Sequence, residues 1–304
     1  MHRPKLFLFF IDGIGIGSNN PQRNPLIQLG EAFLGPAAFH SGTVPLRSPR
    51  VWLLPIDANL GVSGRPQSAT GQTSFMTGIN AAQKLGYHLQ AFPNEQLLPI
   101  ISSHNLLKVL VQNGVRATSA NLYSHKYFTD RRKRRKNMFP VSTLSIESAG
   151  IPFRYYKDYR LRRAIFADIT NQMLKDRGFS IKPIAPKRAA SHVLNIFKRN
   201  DLVFFEYFLT DTYGHARKAA AIRHCVANIN AFLRALWEQS KERIDILIIS
   251  DHGNAEDMEI GDHTLNPVPF FFISSQAEKW AADSPKPHSL LDIKPFILSY
   301  YGIT

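Results

Sequence analysis

Residues 244–253 read IDILIISDHG, a nearly continuous apolar run that is followed by three polar side chains and a glycine. The run from Ile244 to Ile249 is long enough for a strand, and its lack of alternation is typical of a parallel strand buried on both faces. Asp251 and His252 would then lie just beyond the carboxyl end of that strand, where open parallel sheets bind their ligands. This stretch therefore predicts an α/β fold with polar groups gathered at one edge of its sheet.

Two other parts of the chain repeat the pattern. Lys5 to Ile11 is an apolar run followed by Asp12, and Asp201 to Leu209 is followed by Thr210 and Asp211. Further elements are predicted as strands at Arg116–Leu122 and Val268–Ile273 and as helices at Ser68–Gly78, Glu95–Asn113, Tyr159–Asp176, Ala216–Gln239 and Leu290–Tyr300. This order, with strand–helix–strand crossovers, predicts a mostly parallel sheet with helices on both faces.

The composition excludes several classes of protein. The chain has 304 residues and one cysteine, Cys225, so neither an internal disulfide nor a cysteine-based zinc site can form. The longest apolar runs, such as Leu6 to Ile11, are far shorter than the roughly 20 residues that span a bilayer. The N-terminal run leads straight into Asp12 without a small-residue cleavage site, which indicates a strand and not a signal peptide. We therefore expect a cytoplasmic protein with no membrane span.

The excess positive charge lies in one internal stretch. The net charge is +14, and residues 121–200 contain 19 of the 37 Lys and Arg residues but only 5 of the 23 Asp and Glu residues. We interpret residues 121–198 as a small basic cap inserted into a core formed by residues 1–120 and 199–304. Such a segment attracts phosphate-bearing partners, although its run Arg131–Lys136 is equally typical of a solvated loop.

Acidic residues follow three separate apolar runs, at Asp12, Asp211 and Asp251, and His252 adjoins the last of them. Carboxylates crowded at one edge of a sheet repel each other unless a positive charge lies among them. A bound divalent metal is the simplest source of that charge. The mixture of carboxylates and imidazoles suits Zn²⁺ or Mn²⁺ better than Ca²⁺. The sequence thus predicts a metal site.

Two more histidines extend the candidate ligand set. His215 follows Asp211 by four residues, one turn of a helix, and His263 lies just before the predicted strand Val268–Ile273. Each of them alone is more typical of a cap or a turn. Together with the residues at the strand ends they supply enough donors for two metal ions.

The segment Gln67 to Thr73 contains two candidate nucleophiles, Ser68 and Thr70. Ser68 is predicted at a helix N-terminus, where the partial positive charge and free N–H groups favour phosphate. The same position is that of an ordinary helix cap. A hydroxyl whose oxygen binds a metal becomes a competent nucleophile near neutral pH, and both side chains stay candidates on this reasoning.

These motifs resemble the alkaline phosphatase superfamily, and within it the branch of cofactor-independent phosphoglycerate mutase and phosphopentomutase. The matching segments, in chain order, are Phe10-Ile11-Asp12-Gly13, the Ser68 segment, Asp211-Thr212-Tyr213-Gly214-His215, Asp251-His252-Gly253-Asn254-Ala255-Glu256 and His263-Thr264-Leu265-Asn266-Pro267-Val268-Pro269. The resemblance covers the predicted core and leaves most of the basic insert unmatched.

The resemblance implies an alkaline phosphatase-like core with two divalent metal ions, Mn²⁺ or Zn²⁺. One metal site would use Asp211, His215 and His263. The other would use Asp12, Asp251, His252 and the hydroxyl of Ser68, which would attack phosphorus to form a phosphoserine.

The resemblance also favours Ser68 over Thr70 as the nucleophile. Gly71-Gln72 aligns with the Gly-His that follows the nucleophile in those mutases, so this chain has Gln72 where they have a histidine. The implied activity is phosphoryl transfer on small phosphorylated metabolites, as a phosphatase or a phosphomutase. Five cations of the insert are candidates for holding the anionic substrate: Lys126, Arg154, Arg160, Arg162 and Arg163.

The basic insert leaves two alternatives open. One is a metal-dependent phosphodiesterase that acts on nucleotides or nucleic acid. The other is a non-catalytic, basic nucleic-acid-binding protein that keeps a structural metal site, for which binding would weaken steeply with salt. A compact nucleotide-binding loop of the Gly-x4-Gly-Lys-Ser/Thr type is absent from the sequence.

Overall fold

A computed structural model of the chain describes residues 3–35, 39–133 and 138–304. The strands are β1 (Leu6–Ile11), β2 (Leu46–Ser48), β3 (Val51–Ile56), β4 (Ala117–Ser119), β5 (Leu202–Tyr207), β6 (Asp245–Ile249) and β7 (Val268–Ile273). The helices are α1 (Glu31–Leu34), α2 (Ser68–Thr77), α3 (Ala81–Leu85), α4 (Leu98–His104), α5 (Leu106–Gln112), α6 (His125–Lys133), α7 (Val141–Ser148), α8 (Tyr156–Arg160), α9 (Gln172–Asp176), α10 (Pro186–Phe197), α11 (Leu209–His215), α12 (Ala219–Ser240), α13 (Ala277–Asp283) and α14 (Ile293–Tyr300), with a 3-10 helix at Leu290–Asp292.

The strands form one sheet in the order β2-β3-β7-β6-β1-β5-β4. β1 pairs in parallel with β5 on one side and β6 on the other, and β4 pairs in parallel with β5. β7 runs antiparallel to both β6 and β3, and β2 runs antiparallel to β3. The predicted α/β fold with a mostly parallel sheet is therefore confirmed.

Helices cover both faces of the sheet because successive side chains of a strand point to opposite faces. In β1, Leu8 and Phe10 pack into one buried cluster with residues of α2, α4, α5, α7 and α14. Phe7 and Phe9 pack into the other cluster with α10 and α12. β1 is thus apolar at every position because both of its faces are covered.

One edge of this sheet gathers the ends of several strands. The last residues of β1, β5 and β6 lie side by side, since Ile11 pairs with Tyr207 and Phe10 pairs with Ile249. Ile249 also pairs with Phe270, near the start of β7. Because β7 runs antiparallel to β6, the loop that joins these two strands lies at the same edge as the loops that follow β1 and β5.

Two predicted helices differ from the structure. The helix predicted at Glu95–Asn113 is divided into α4 and α5 because Asn105 leaves the helical conformation and its side chain accepts a hydrogen bond from the backbone of Lys108. The helix predicted at Tyr159–Asp176 is wrong between α8 and α9. There Arg162, Ile169 and Asn171 have positive φ angles, which a right-handed helix cannot contain.

Parts of the predicted basic insert pack on the sheet. Val141 and Ile146 of α7 join the cluster on one face, and Val193 and Ile196 of α10 join the cluster on the other. The division into a core and a separate cap stays a prediction. Of the basic run Arg131–Lys136, the first three residues end α6 and the last three lie outside the described residues.

The described part of the chain contains no helix that is both long enough and apolar enough to cross a lipid bilayer.

Candidate metal centre

The structure brings all seven predicted metal-site residues together at the carboxyl edge of the sheet. They come from five segments: Asp12 follows β1, Ser68 begins α2, Asp211 and His215 lie on α11, Asp251 and His252 follow β6, and His263 lies in the loop before β7. Their side chains form two adjoining clusters.

The first cluster consists of Asp211, His215 and His263. Asp211 Oδ1 lies 3.5 Å from the Nε2 atom of each histidine, and the two Nε2 atoms lie 3.2 Å from each other. Asp211 and His215 face the same point because they lie one turn apart on α11. Three donor atoms at such spacings can bind one cation between them.

The second cluster consists of Asp12, Asp251 and His252. His252 Nε2 lies 3.4 Å from Asp12 Oδ1 and 3.5 Å from Asp251 Oδ2, and 3.0 Å from the hydroxyl of Ser68. The rings of His252 and His263 stack with their centroids 3.6 Å apart, so the two clusters are in direct contact.

Unpaired oxygens in the second cluster test whether a cation fits there. Asp12 Oδ1 and Asp251 Oδ1 are buried and have no hydrogen-bond partner among the described residues. Leaving a carboxylate oxygen buried and unpaired is costly, and a bound cation removes that cost. Carboxylate oxygens and imidazole nitrogens are donors that Zn²⁺ and Mn²⁺ both accept, so the residues fit divalent metal.

The surroundings shift the pKa values of Asp12 and Asp211 in opposite directions. Burial raises the pKa of Asp12 well above its usual value, and the nearby carboxylates of Asp251 and Asp211 raise it further. Burial also opposes ionisation of Asp211, but hydrogen bonding from His263 and the charge of His252 outweigh it and lower the pKa of Asp211 to about 2. A positive charge beside Asp12 would oppose both of the effects that raise its pKa.

The two stacked histidines also differ. Burial lowers the pKa of His252, which favours the neutral form that binds metal. Burial acts in the same direction on His263, but the Asp211 carboxylate outweighs it and raises the pKa of His263. His263 Nδ1 donates to the carbonyl of Pro66 at 2.7 Å, an arrangement that leaves Nε2 directed at Asp211.

Neighbouring amides hold the carboxylates of both clusters. Asn254 Nδ2 donates to Asp211 Oδ1 at 2.7 Å, and Gln72 Nε2 donates to Asp251 Oδ2 at 3.0 Å. Such contacts orient ligands and are part of most metal sites. Neither amide was predicted in the site from the sequence, although Gln72 departs from the mutase pattern and Asn254 lies in a matching motif.

Glu256 is a third residue of the site that was not predicted from the sequence. Its buried carboxylate accepts hydrogen bonds from the backbone of Gly15 and Asn254, each at 2.8 Å, and from the side chains of Thr264 and Asn266. Glu256 therefore links the loop that carries Asp12 to both ends of the loop between β6 and β7. That second loop carries Asp251, His252 and His263.

Two glycines allow these loops to approach each other closely. Gly13 has φ +69°, and a Cβ atom there would lie 2.7 Å from Asp211 Cβ. A Cβ atom on Gly71 would lie 2.6 Å from the carbonyl oxygen of Asp251. A side chain at either position would displace a candidate ligand.

The two candidate nucleophiles have different surroundings. The Ser68 hydroxyl faces His252, whereas the buried Thr70 hydroxyl donates to the carbonyl of Gln67 and accepts a bond from the backbone of Leu89. The N–H groups of residues 69 and 70 both donate to the Leu89 carbonyl. The first turn of α2 is therefore partly capped, and its N–H groups are less available to phosphate than the sequence predicts.

The five predicted cap cations make no hydrogen bond or ion pair with the two clusters within the described ranges. Lys126 pairs with Asp130 at 2.7 Å. Arg154 donates to the carbonyl of Ser119 and to the hydroxyl of Thr118, so it stabilises β4. Burial lowers the pKa of Arg154. Arg160 and Arg162 are exposed, and Arg163 is half-buried. Their role toward substrate stays a prediction.

Five of the seven candidate site residues lie in the part of the chain that matches a known family model. The model described as the metalloenzyme superfamily matches residues 179–304, which include Asp211, His215, Asp251, His252 and His263.

Two curated relatives are 2,3-bisphosphoglycerate-independent phosphoglycerate mutases. The one from Parabacteroides distasonis is 32% identical over 113 residues, which cover 35% of this chain and 22% of that protein. The one from Desulforudis audaxviator is 31% identical over 131 residues, which cover 40% of this chain and 25% of that protein. The chain thus matches about a quarter of the length of these relatives.

Solved structures resemble the whole chain in fold. The alkaline phosphatase from the Antarctic bacterium TAB5 has a TM-score of 0.56 at 13% identity, with 99% of each chain covered. The PH0037 protein from Pyrococcus horikoshii has a TM-score of 0.52 at 14% identity, with 99% of this chain and 97% of that chain covered.

Proposed function

We propose that the chain is a two-metal phosphoryl-transfer enzyme, because its residues 179–304 match the metalloenzyme superfamily model and its fold resembles that of an alkaline phosphatase. Its substrates would be small phosphorylated metabolites, and Ser68 would carry the phosphoryl group between the two halves of the reaction. Asp211, His215 and His263 would hold one divalent cation, and Asp12, Asp251, His252 and Ser68 would hold the other.

The observation that carries this proposal is the position of the Ser68 hydroxyl. It lies 3.0 Å from His252 Nε2, inside the second cluster and beside the first, whereas Thr70 uses its hydroxyl to bind backbone groups. When bound, two divalent cations of Mn²⁺ or Zn²⁺ would stabilise the charge on the phosphoryl oxygens during an in-line displacement.

The chain's own residues account for the rest of the reaction. Ser68 Oγ forms a bond to phosphorus as the bond from phosphorus to the substrate alcohol breaks, which leaves a phosphoserine and the free alcohol. Water or a second hydroxyl of the substrate then attacks phosphorus and restores Ser68. Attack by water makes the enzyme a phosphatase, and attack by the substrate makes it a phosphomutase.

A labelling experiment tests the role of Ser68. Metal-loaded protein is mixed with p-nitrophenyl phosphate, stopped in acid and digested, and the phosphorylated peptide is identified by mass spectrometry. We expect phosphate on Ser68 and loss of both labelling and p-nitrophenol release in Ser68→Ala. Thr70→Ala is the matched control because it removes a hydroxyl from the same helix turn, and its label should stay on Ser68.

The opposite results would reject the proposal. Phosphate on Thr70, or unchanged turnover in Ser68→Ala, would remove Ser68 from the chemistry. Faster release of p-nitrophenol from the bis-ester than from the monoester would favour the phosphodiesterase. Nucleic-acid binding that falls with salt, without turnover of either ester, would favour the non-catalytic alternative.

A further inference from the structure

A short stretch of the predicted insert exposes apolar and basic side chains next to one another. Tyr156 is 53% exposed and Leu161 is 58% exposed, although both side chains are large and mainly apolar. Lys157, Arg160 and Arg162 lie between or beside them in the chain and are also exposed. We call these five residues the α8 patch. Apolar groups that lie together on a surface and are rimmed by polar side chains mark sites that contact a protein or a membrane.

The turn that carries Leu161 is held in place by its backbone. Asn195 Nδ2, on α10, donates to the carbonyl of Leu161 at 3.2 Å and to the carbonyl of Arg162 at 3.1 Å. The N–H of Arg162 donates to the carbonyl of Tyr159 at 2.8 Å. Arg162 has φ +56°, a conformation that is unfavourable for a residue with a Cβ atom. These hydrogen bonds keep a strained turn in place, so the exposure of Leu161 is a fixed feature of the fold.

The cations of the α8 patch have no acidic partner. Within the described ranges, none of Lys157, Arg160 and Arg162 forms an ion pair. The carboxylate of Asp158, which lies in the same stretch, accepts the backbone N–H of Tyr155 at 2.9 Å. The three positive charges are therefore available to an anionic partner.

A further cation, Arg188 of α10, lies beside the α8 patch. Burial lowers the pKa of His192, and the positive charges of Arg188 and Arg162 lower it further. Both guanidinium groups therefore lie near the His192 ring, which packs against Tyr159 with the ring centroids 5.6 Å apart. Arg188 is exposed. The positive potential of the patch thus extends from α8 to α10.

The apolar members of the patch suit an anionic lipid surface better than a nucleic acid. Both kinds of partner attract Lys and Arg side chains. A leucine has no ring that could stack on a base, whereas the boundary between headgroups and acyl chains accepts aliphatic side chains. Tyr156 is already stacked on Tyr159, with the centroids 6.1 Å apart and 21° between the rings, and its amphipathic ring suits the headgroup level. Peripheral binding to a bilayer needs such a combination of apolar anchors and several cations.

We propose that the chain attaches reversibly to anionic lipid bilayers through the α8 patch. The Leu161 side chain and the Tyr156 ring enter the headgroup region, and the three cations of the patch contact the anionic groups of the lipids. This inference goes beyond the proposed function and does not depend on it, because no candidate metal ligand takes part.

Co-sedimentation with vesicles tests this surface. The full chain is mixed with vesicles of phosphatidylcholine alone or of equal parts of phosphatidylcholine and phosphatidylserine, and the bound fraction is measured against lipid concentration. We expect binding to the anionic vesicles only, and weaker binding as the salt concentration rises. Leu161→Gln should lower the partition coefficient about tenfold without a change in charge, because the inserted apolar side chain is lost. Arg160→Gln should lower it about fivefold, because one cation near the lipid surface is lost.

Leu98→Gln and Arg223→Gln are the matched controls, because Leu98 is an exposed leucine of α4 and Arg223 is an exposed arginine of α12. Both should bind anionic vesicles as the unchanged chain does. The melting temperature of each variant checks that it is folded.

Three results would overturn the inference: equal binding to neutral and anionic vesicles, binding to neither, or an unchanged partition coefficient in Leu161→Gln. Binding of a single-stranded oligonucleotide that is weakened in Arg160→Gln, by a chain that does not bind vesicles, would assign the patch to nucleic acid instead.

Discussion

Gln72 supports the second cluster through a single hydrogen bond. Its amide donates to Asp251 Oδ2 at 3.0 Å, while Asp251 Oδ1 has no partner among the described residues. Both side chains are almost completely buried. The amide therefore occupies one carboxylate oxygen and leaves the other for a cation, which is how an outer hydrogen bond orients a metal ligand.

Removal of this amide should weaken metal binding at the second cluster. In Gln72→Ala, Asp251 loses the hydrogen bond that orients it, and we expect the affinity for Mn²⁺ or Zn²⁺ to fall about 10- to 100-fold. Competition with a chromogenic chelator measures the affinity of each site. Gln83→Ala, at an exposed glutamine of α3, is the control and should bind metal normally. Normal affinity in both variants would show that Asp251 does not need Gln72.

The residues of the site were predictable to different degrees. Asp12, Asp211, Asp251 and His252 follow strand runs, so local sequence placed them at one edge of the sheet before any contact was known. Gln72 and Asn254 could not be assigned from local sequence. Whether a buried amide reaches a candidate metal ligand depends on how a distant segment of the chain packs against it. The resemblance already favoured Ser68 over Thr70, and the direction of each hydroxyl adds an independent argument for that choice.

At the scale of elements, the site is a set of loops held together by Glu256. The carboxylate of Glu256 accepts from residue 15 in the loop after β1 and from residues 254, 264 and 266 in the loop that joins β6 to β7. These loops carry candidate ligands of both clusters. One buried acidic side chain therefore contributes to the relative positions of all these segments, together with backbone contacts such as the bridge between Gly253 and Thr264.

Glu256→Ala should destabilise the protein more than a surface change in the same loop. It leaves two backbone N–H groups and the Thr264 and Asn266 side chains without their acceptor, and we expect a loss of about 3 kcal/mol in the free energy of unfolding. Chemical denaturation measures this loss. Glu259→Ala removes an exposed pair with Arg23 and should cost less than about 1 kcal/mol. Similar losses in the two variants would contradict the role given to Glu256.

Four strands, β1, β5, β6 and β7, were easier to predict than the helices for a physical reason, whereas β2 and β3 were not predicted. β7 lies where the apolar run predicts it, at Val268–Ile273, and β1, β5 and β6 differ from their predictions only at the ends. These strands are buried on both faces, so their composition is distinctive. The division of α4 from α5 depends on a cap by Asn105, and the break between α8 and α9 depends on positive φ angles at residues of ordinary type. Apolar spacing detects neither feature.

At the scale of the whole molecule, the topology concentrates negative charge at one edge of the sheet. The ends of β1 and β6, the helix that follows β5 and the loop before β7 bring Asp12, Asp211 and Asp251 within one small volume. Burial and neighbouring carboxylates raise the pKa of Asp12, which marks repulsion that cations would remove. Metal binding should consequently stabilise the folded chain as well as serve its chemistry.

Chelation should therefore lower the melting temperature. A ligand present at 100 times its dissociation constant stabilises the folded state by about 2.7 kcal/mol per site, so two sites correspond to a shift on the order of 5–10 °C. Differential scanning calorimetry with Mn²⁺ or Zn²⁺ and with excess chelator measures that shift. His263→Ala, which removes a ligand of the first cluster, should reduce the shift, whereas Thr70→Ala, which changes a hydroxyl outside both clusters, should retain it. Equal melting temperatures with metal and with chelator would mean that the clustered carboxylates tolerate one another without cations, and the two-metal assignment would then fail.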